Sequence, residues 1–220
     1  MATAPEGPHS ELTVNVVRRS DAHERLMLLV HGYGADEHDL ASLVEHVDPD
    51  GRFLVVCPRG PFDVFPGAGW YQPTALTGVK DDAGLVRSFR ALDALLTSSC
   101  EAEGLARAES VVAGFSQGAA MSLAVAYAGT RPRPAAVVAM SGYLPTADGL
   151  DFAWDDGALP PALVQHGTYD PLLPVELGED AARTLTGHGV TARYEAYPMA
   201  HEVSLASVES ICEWLRATLG

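Results

Sequence analysis

Val111-Val112-Ala113-Gly114-Phe115-Ser116-Gln117-Gly118-Ala119 sets a serine between two glycines, after a short apolar run and ahead of a helical stretch that continues to Ala128. A turn from strand to helix forces such a serine into a strained conformation, and a glycine on each side leaves room for the close approach. The hydroxyl then stands above the carboxyl edge of a parallel sheet, where ligands of α/β folds bind. A helix N-terminus beneath it favours developing negative charge. The plainer alternative is an ordinary strand–helix turn with Ser116 as a helix cap.

The flanking segments supply the sheet. Leu26-Met27-Leu28-Leu29-Val30 and Phe53-Leu54-Val55-Val56-Cys57 are continuous apolar runs, ended by His31-Gly32 and by Pro58. Such runs read as strands buried on both faces. Leu12 to Val17, Ala136 to Met140, Ala162 to Val164 and Ala192 to Tyr197 are further strand candidates. Helical spacing links Leu40, Leu43, Val44 and Val47, then Leu85 through Leu96, and covers about 175–186 and Val203 to Leu219. Strands alternating with helices predict an α/β fold with a mostly parallel central sheet covered by helices on both faces. Residues 1–11 are small, polar or helix-breaking and read as a flexible arm before one domain over 12–220. Residues 58–79, with four prolines and four glycines, are expected to be irregular, and loops this long are usually functional or disordered.

A serine nucleophile needs a base, and the base needs an orienting carboxylate. On this architecture the chain order is serine, acid, histidine. Asp170, in His166-Gly167-Thr168-Tyr169-Asp170-Pro171, follows the strand at 162–164, whereas Asp148, Asp151, Asp155 and Asp156 precede it and Asp180 falls in a helix. Of the three histidines beyond Ser116, His166 precedes the acid and His188 sits in a helix-ending Gly-His-Gly turn. His201, between the last strand and the last helix, fits both order and placement. The expected oxyanion donors are the backbone amides of Gln117, next to the nucleophile, and of Tyr33, in the His31-Gly32-Tyr33-Gly34 turn. His31 precedes the nucleophile and reads as structural. Trp70, Tyr71, Leu172 and Met199 are candidates for an apolar substrate wall, with loop anchoring as the other reading of the aromatic pair.

Composition narrows the partners. Fourteen Lys+Arg against 29 Asp+Glu leave a net charge of −15, with Lys80 the one lysine. Clustered cations for nucleic acid or anionic membrane surfaces are missing. No apolar stretch approaches the roughly 18 residues of a membrane span. Cys57, Cys100 and Cys212 match no metal spacing and read as small buried hydrophobes in a reducing cytoplasm. Nothing in the pattern calls for a metal or an organic cofactor.

Leu29-Val30-His31-Gly32-Tyr33-Gly34-Ala35-Asp36-Glu37, Cys57-Pro58-Arg59-Gly60-Pro61, Gly69-Trp70-Tyr71, Gly114-Phe115-Ser116-Gln117-Gly118-Ala119, Ser141-Gly142-Tyr143-Leu144 and His166-Gly167-Thr168-Tyr169-Asp170-Pro171-Leu172-Leu173-Pro174 follow one another in order. This series resembles the phospholipase/carboxylesterase family of α/β-hydrolases over about residues 25–217, and its bacterial esterase branch more than the eukaryotic acyl-protein thioesterases. The resemblance implies an α/β-hydrolase fold without a large cap domain. It also implies hydrolysis of a small-molecule ester or thioester by a monomer or homodimer. Ser116, Asp170 and His201 match the family's triad, and Tyr33 and Gln117 its oxyanion donors; Trp70 falls where the family touches substrate. The chain departs from the pattern at Ala200, where glycine usually precedes the histidine.

Overall fold

The apolar runs become the middle of a seven-stranded sheet, seen in a computed structural model that describes residues 12–220. The arm expected over residues 1–11 lies outside the described residues. Strands β1 (Val14–Arg18), β2 (Arg25–Val30) and β3 (Phe53–Pro58) are followed by a separate two-stranded hairpin, β4 (Phe62–Val64) and β5 (Gly67–Gly69). Then come β6 (Val111–Phe115), β7 (Ala136–Met140), β8 (Ala162–Gly167) and β9 (Ala192–Tyr197). The main sheet runs β1-β3-β2-β6-β7-β8-β9, parallel except for β1, which lies antiparallel on β3.

Helices α1 (Val44–Val47), α2 (Thr74–Thr77), α3 (Asp82–Glu103), α4 (Gln117–Ala128), α5 (Glu176–Gly187) and α6 (Leu205–Leu219) complete the chain. Along β2 the side chains alternate between two cores, as the two-residue strand period requires. Leu26, Leu28 and Val30 pack with α3 and α4 through Leu92, Leu96, Met121 and Val125. Met27 and Leu29 pack on the other face with Val44, Ile211, Trp214 and Leu215 of α1 and α6. A strand buried on both faces has no polar alternation, which explains the unbroken apolar runs. The architecture is an α/β sheet covered on both faces with no large inserted cap.

Three local expectations are revised. The spacing at 40–47 resolves into a 3-10 turn over Asp39–Leu43 followed by the single turn α1. Residues 58–79 are less irregular than expected, since they hold the β4–β5 hairpin and α2. Helix α3 extends beyond Leu85–Leu96 because Asp81 caps it, accepting from the Gly84 amide at 2.9 Å, and Gly104 ends it in a left-handed turn. All three cysteines are buried, and burial pushes the Cys57 thiol up to about 12. No helix among the described residues is long and apolar enough to cross a membrane.

Candidate active site

Six parallel strands end on one edge, so the turns that follow them converge. Ser116 lies between β6 and α4 with φ 56° and ψ −118°, a left-sided backbone that a non-glycine residue adopts at a cost. The turn is tight on both sides. A Cβ on Gly114 would overlap the Gly118 carbonyl, and one on Gly118 would overlap the carbonyl of Val30 at the end of β2. Ser116 does not cap α4 with its side chain. Its Oγ instead lies 2.9 Å from His201 Nε2, which removes the ordinary-cap reading.

The imidazole is held from its other side. His201 Nδ1 is 2.6 Å from Asp170 Oδ2, and Asp170 Oδ1 accepts the amides of Leu172 and Leu173, each at 2.9 Å. The carboxylate is fully enclosed. Burial alone would raise its pKa, but the Leu173 amide, the His201 ring and the Leu172 amide outweigh that and hold it below the usual range. An ionised carboxylate can only accept, so His201 carries its proton on Nδ1 and leaves Nε2 free to accept from the serine. Ala200 does not prevent this reach. The acid and base turns are also tied to each other: Thr168 donates to the Tyr197 carbonyl at 2.8 Å and Tyr169 to the Met199 carbonyl at 3.1 Å.

Behind them, Glu195 on β9 accepts from Tyr197 Oη at 2.6 Å, Gln165 Nε2 at 2.8 Å and Ser210 Oγ at 2.8 Å. These bonds lock β8, β9 and α6 together, the three elements that frame Asp170 and His201. Phe115 stacks obliquely on the His201 ring, with centroids 4.8 Å apart.

Among the described residues, neither the Tyr33 amide nor the Gln117 amide donates to another protein atom. Their turns touch: a Cβ on Gly32, next to Tyr33, would sit 3.3 Å from that of Ser116, next to Gln117. Gly34 donates to Ala68 at 2.8 Å and Ala68 to Ala35 at 2.7 Å, so the hairpin backs the Tyr33 turn. His31 is wholly structural in its contacts. Its Nδ1 faces the Gly32 carbonyl at 2.6 Å, and its Nε2 accepts from the Gly60 amide at 3.0 Å. Burial lowers its pKa and keeps it neutral.

The expected substrate wall is rearranged. Trp70 does not face a cleft: it is 0% exposed, packs in the α3/α4 core and donates from its indole to the His31 carbonyl at 2.8 Å. Tyr71 is 6% exposed and meets Tyr143 hydroxyl to hydroxyl at 2.5 Å. Met199 is buried at 5%, whereas Leu172 beside the acid is 68% exposed. Phe65 at the hairpin tip is fully exposed. Three features escaped the sequence reading. One is the Gln117 side chain, which binds the Trp70 amide and the Tyr71 carbonyl. Another is Ser141, which like Ser116 has positive φ. The third is His166, buried with its Nε2 3.5 Å from Asp170 Oδ2. The block Ser141-Gly142-Tyr143 and the pair His166-Gly167 were the available signals.

A serine on a strand–helix elbow, hydrogen-bonded through histidine to an enclosed aspartate at the carboxyl edge of this sheet, defines an α/β-hydrolase. The profile of the phospholipase/carboxylesterase family matches residues 12–219, and the chain belongs to that family as an ester-hydrolysing enzyme. Acyl-protein thioesterase 1 homolog 1 of Dictyostelium discoideum is 24% identical over 208 residues, covering 90% of this chain and 92% of that protein. The putative hydrolase MhqD of Bacillus subtilis is 26% identical over 196 residues, 89% and 94% of the two chains. Among solved structures, esterase PE8 superposes with a TM-score of 0.84 at 27% identity, covering 96% of this chain and all of that one. The Bacillus cereus carboxylesterase shares the fold, with a TM-score of 0.80 at 20% identity and 94% of each chain covered.

Proposed function

We propose that the chain hydrolyses carboxylic esters of short to medium acyl chains in two acyl transfers, with Ser116 as nucleophile, His201 as base and Asp170 as its orienting acid. The observation that carries this reading is the hydrogen-bonded line Asp170 Oδ2–His201 Nδ1 at 2.6 Å and His201 Nε2–Ser116 Oγ at 2.9 Å. Ser116 Oγ attacks the carbonyl carbon as its proton passes to His201 Nε2, and Asp170 stabilises the imidazolium. The amides of Tyr33 and Gln117 receive the oxyanion; such a donor lowers the barrier by about 3 kcal/mol. Collapse breaks the bond to the leaving oxygen, which takes the proton from His201. Water then repeats the attack on the Ser116 ester, giving up its proton to His201 and releasing the acid.

The same steps serve a thioester, whose sulfur leaves in place of oxygen, and the acyl-protein thioesterase names among the relatives favour including that substrate. Fluorophosphonate labelling is the direct test. The wild type is expected to be modified at Ser116 and to hydrolyse p-nitrophenyl acetate and butyrate, and Ser116→Ala to do neither while remaining folded. Wild-type turnover in that variant would exclude Ser116 as nucleophile. A series of esters and thioesters of increasing chain length then fixes the acyl preference.

A further inference from the structure

A cavity of about 150 Å³ lies between the segment after β5, the start of α3 and the turn after β7, and the two acyl transfers leave it unused. Both of its tyrosines are tied to the turn that carries Ser116. The Tyr71 carbonyl accepts from Gln117 Nε2 at 2.8 Å, and Gly142, next to Tyr143, packs so closely that a Cβ there would sit 2.9 Å from the Ser116 carbonyl. None of the residues lining it comes from the acid or base turns. The leaving group must stand beside His201 to receive its proton, so a cavity away from those turns is on the acyl side.

Its chemistry is polar at one end. The hydroxyls of Tyr71 and Tyr143 are 2.5 Å apart. Burial raises the pKa of both, so both keep their protons. One bond between two hydroxyls uses one proton, and among the described residues the second proton has no acceptor. That proton is available to an oxygen acceptor in the cavity that both tyrosines line. Both carboxylates that line the cavity hold backbone amides. Asp81 accepts the amides of Gln72 and Gly84, each at 2.9 Å, while Asp82 accepts the Asp148 amide at 3.1 Å and pairs with Lys80 at 3.0 Å. Two carboxylates against one ammonium leave the surroundings negative, which repels an anionic ligand. Leu85 and Leu144 line the cavity as well and suit methylene groups.

We propose that this cavity is an acyl subsite for a neutral oxygen acceptor, making esters of short keto, ether or hydroxy acids better substrates than esters of plain alkanoic acids. The proposal rests on Ser116 being the nucleophile. A volume of this size accommodates a group as large as benzene, so a chain of a few atoms fills it. The spare tyrosine proton then finds its acceptor in the substrate.

The test compares p-nitrophenyl 4-oxopentanoate with p-nitrophenyl pentanoate, which differ by one carbonyl in place of a methylene. Each kcat/KM is divided by the rate of hydroxide-catalysed hydrolysis of the same ester. The wild type is expected to favour the oxo ester. In the double variant Tyr71→Phe/Tyr143→Phe that preference is expected to fall about fivefold, the worth of one neutral hydrogen bond. Both hydroxyls are removed together because either alone can still donate. Replacing both partners by apolar groups of the same shape is close to neutral for folding. No oxo preference in the wild type, or an unchanged preference in the double variant, overturns the subsite while leaving the hydrolytic reading intact. A wild type that hydrolyses neither ester and takes no fluorophosphonate at Ser116 overturns the hydrolytic reading, and the subsite with it.

Discussion

Gln117 and Trp70 hold each other in place: the Trp70 amide donates to Gln117 Oε1 at 2.7 Å, and the amide group returns a 2.8 Å bond from Nε2 to the carbonyl of Tyr71. The Trp70 indole meanwhile donates to the His31 carbonyl, two residues before Tyr33. One tryptophan thus ties the Ser116 turn to the turn that carries Tyr33, the second proposed oxyanion donor. The hydrogen bonds that join those two turns come from residues other than Ser116, His201 and Asp170.

Gln117→Met keeps the backbone amide and most of the volume but removes both side-chain bonds. It leaves one buried donor and one buried acceptor unpaired, at about 1–3 kcal/mol each. Urea unfolding should show a stability loss of about 2–6 kcal/mol. Steady-state kinetics should show kcat falling at least about tenfold with little change in KM, because a displaced amide weakens the transition state more than the bound substrate. Wild-type kcat in a destabilised variant would make the clamp purely structural.

Trp70→Phe separates the two halves of that clamp. The backbone bond to Gln117 survives, whereas the His31 carbonyl loses its indole donor and a cavity opens in the α3/α4 core. Together these cost about 2–4 kcal/mol, read as a lower urea midpoint with an unchanged slope. Substrate affinity is not expected to depend on this side chain, since it is wholly buried. A large rise in KM without loss of stability would return Trp70 to the substrate wall.

Asp170 lends itself to a pH experiment. Its pKa is held below the ordinary carboxylate value in the folded chain. A group depressed in this way stabilises the fold above its unfolded pKa, about 3.9, and loses that contribution as pH falls through the folded value. Asp170→Asn should therefore be less stable than the wild type at pH 7, with the gap in unfolding free energy narrowing below about pH 4. The amide nitrogen of asparagine also favours the wrong tautomer of His201, so kcat should drop on the order of 10⁴-fold. A stability gap that is flat down to pH 2, or near-normal kcat, contradicts the role proposed for Asp170.

The central strands and the order of Ser116, Asp170 and His201 were legible because both depend on local pattern. Apolar runs announce strands buried on two faces, and each site residue follows its own strand. The hairpin was not legible, because its strands are three residues long and one of them is Gly67-Ala68-Gly69. Trp70 misled for a related reason. An aromatic residue in a Pro- and Gly-rich stretch reads as exposed, while the partners that bury it, His31 and Gln117, lie 39 and 47 positions away in the chain. Leucines and valines three or four apart at 40–47 fit a 3-10 turn as well as an α-turn over so short a span. Distant hydrogen bonds and short elements have no period to read.

Two glycines in helices should respond oppositely to the same substitution. At Gly118, in the first turn of α4, an added methyl overlaps the Val30 carbonyl and approaches that of His31 at 2.5 Å, all of it backbone that cannot swing away. Gly118→Ala must push α4 off the end of β2, costing about 3 kcal/mol or more. The same push carries the Gln117 amide away from that of Tyr33, so esterase activity should collapse in whatever fraction still folds. At Gly187, the last residue of α5, the added methyl meets nothing within 4 Å. There alanine only restricts the unfolded chain, and Gly187→Ala should gain about 0.4–1 kcal/mol in urea unfolding. Its kcat should match the wild type, since α5 end residues touch none of the site. A tolerated Gly118→Ala would mean that the Ser116 turn is not clamped between β2 and α4.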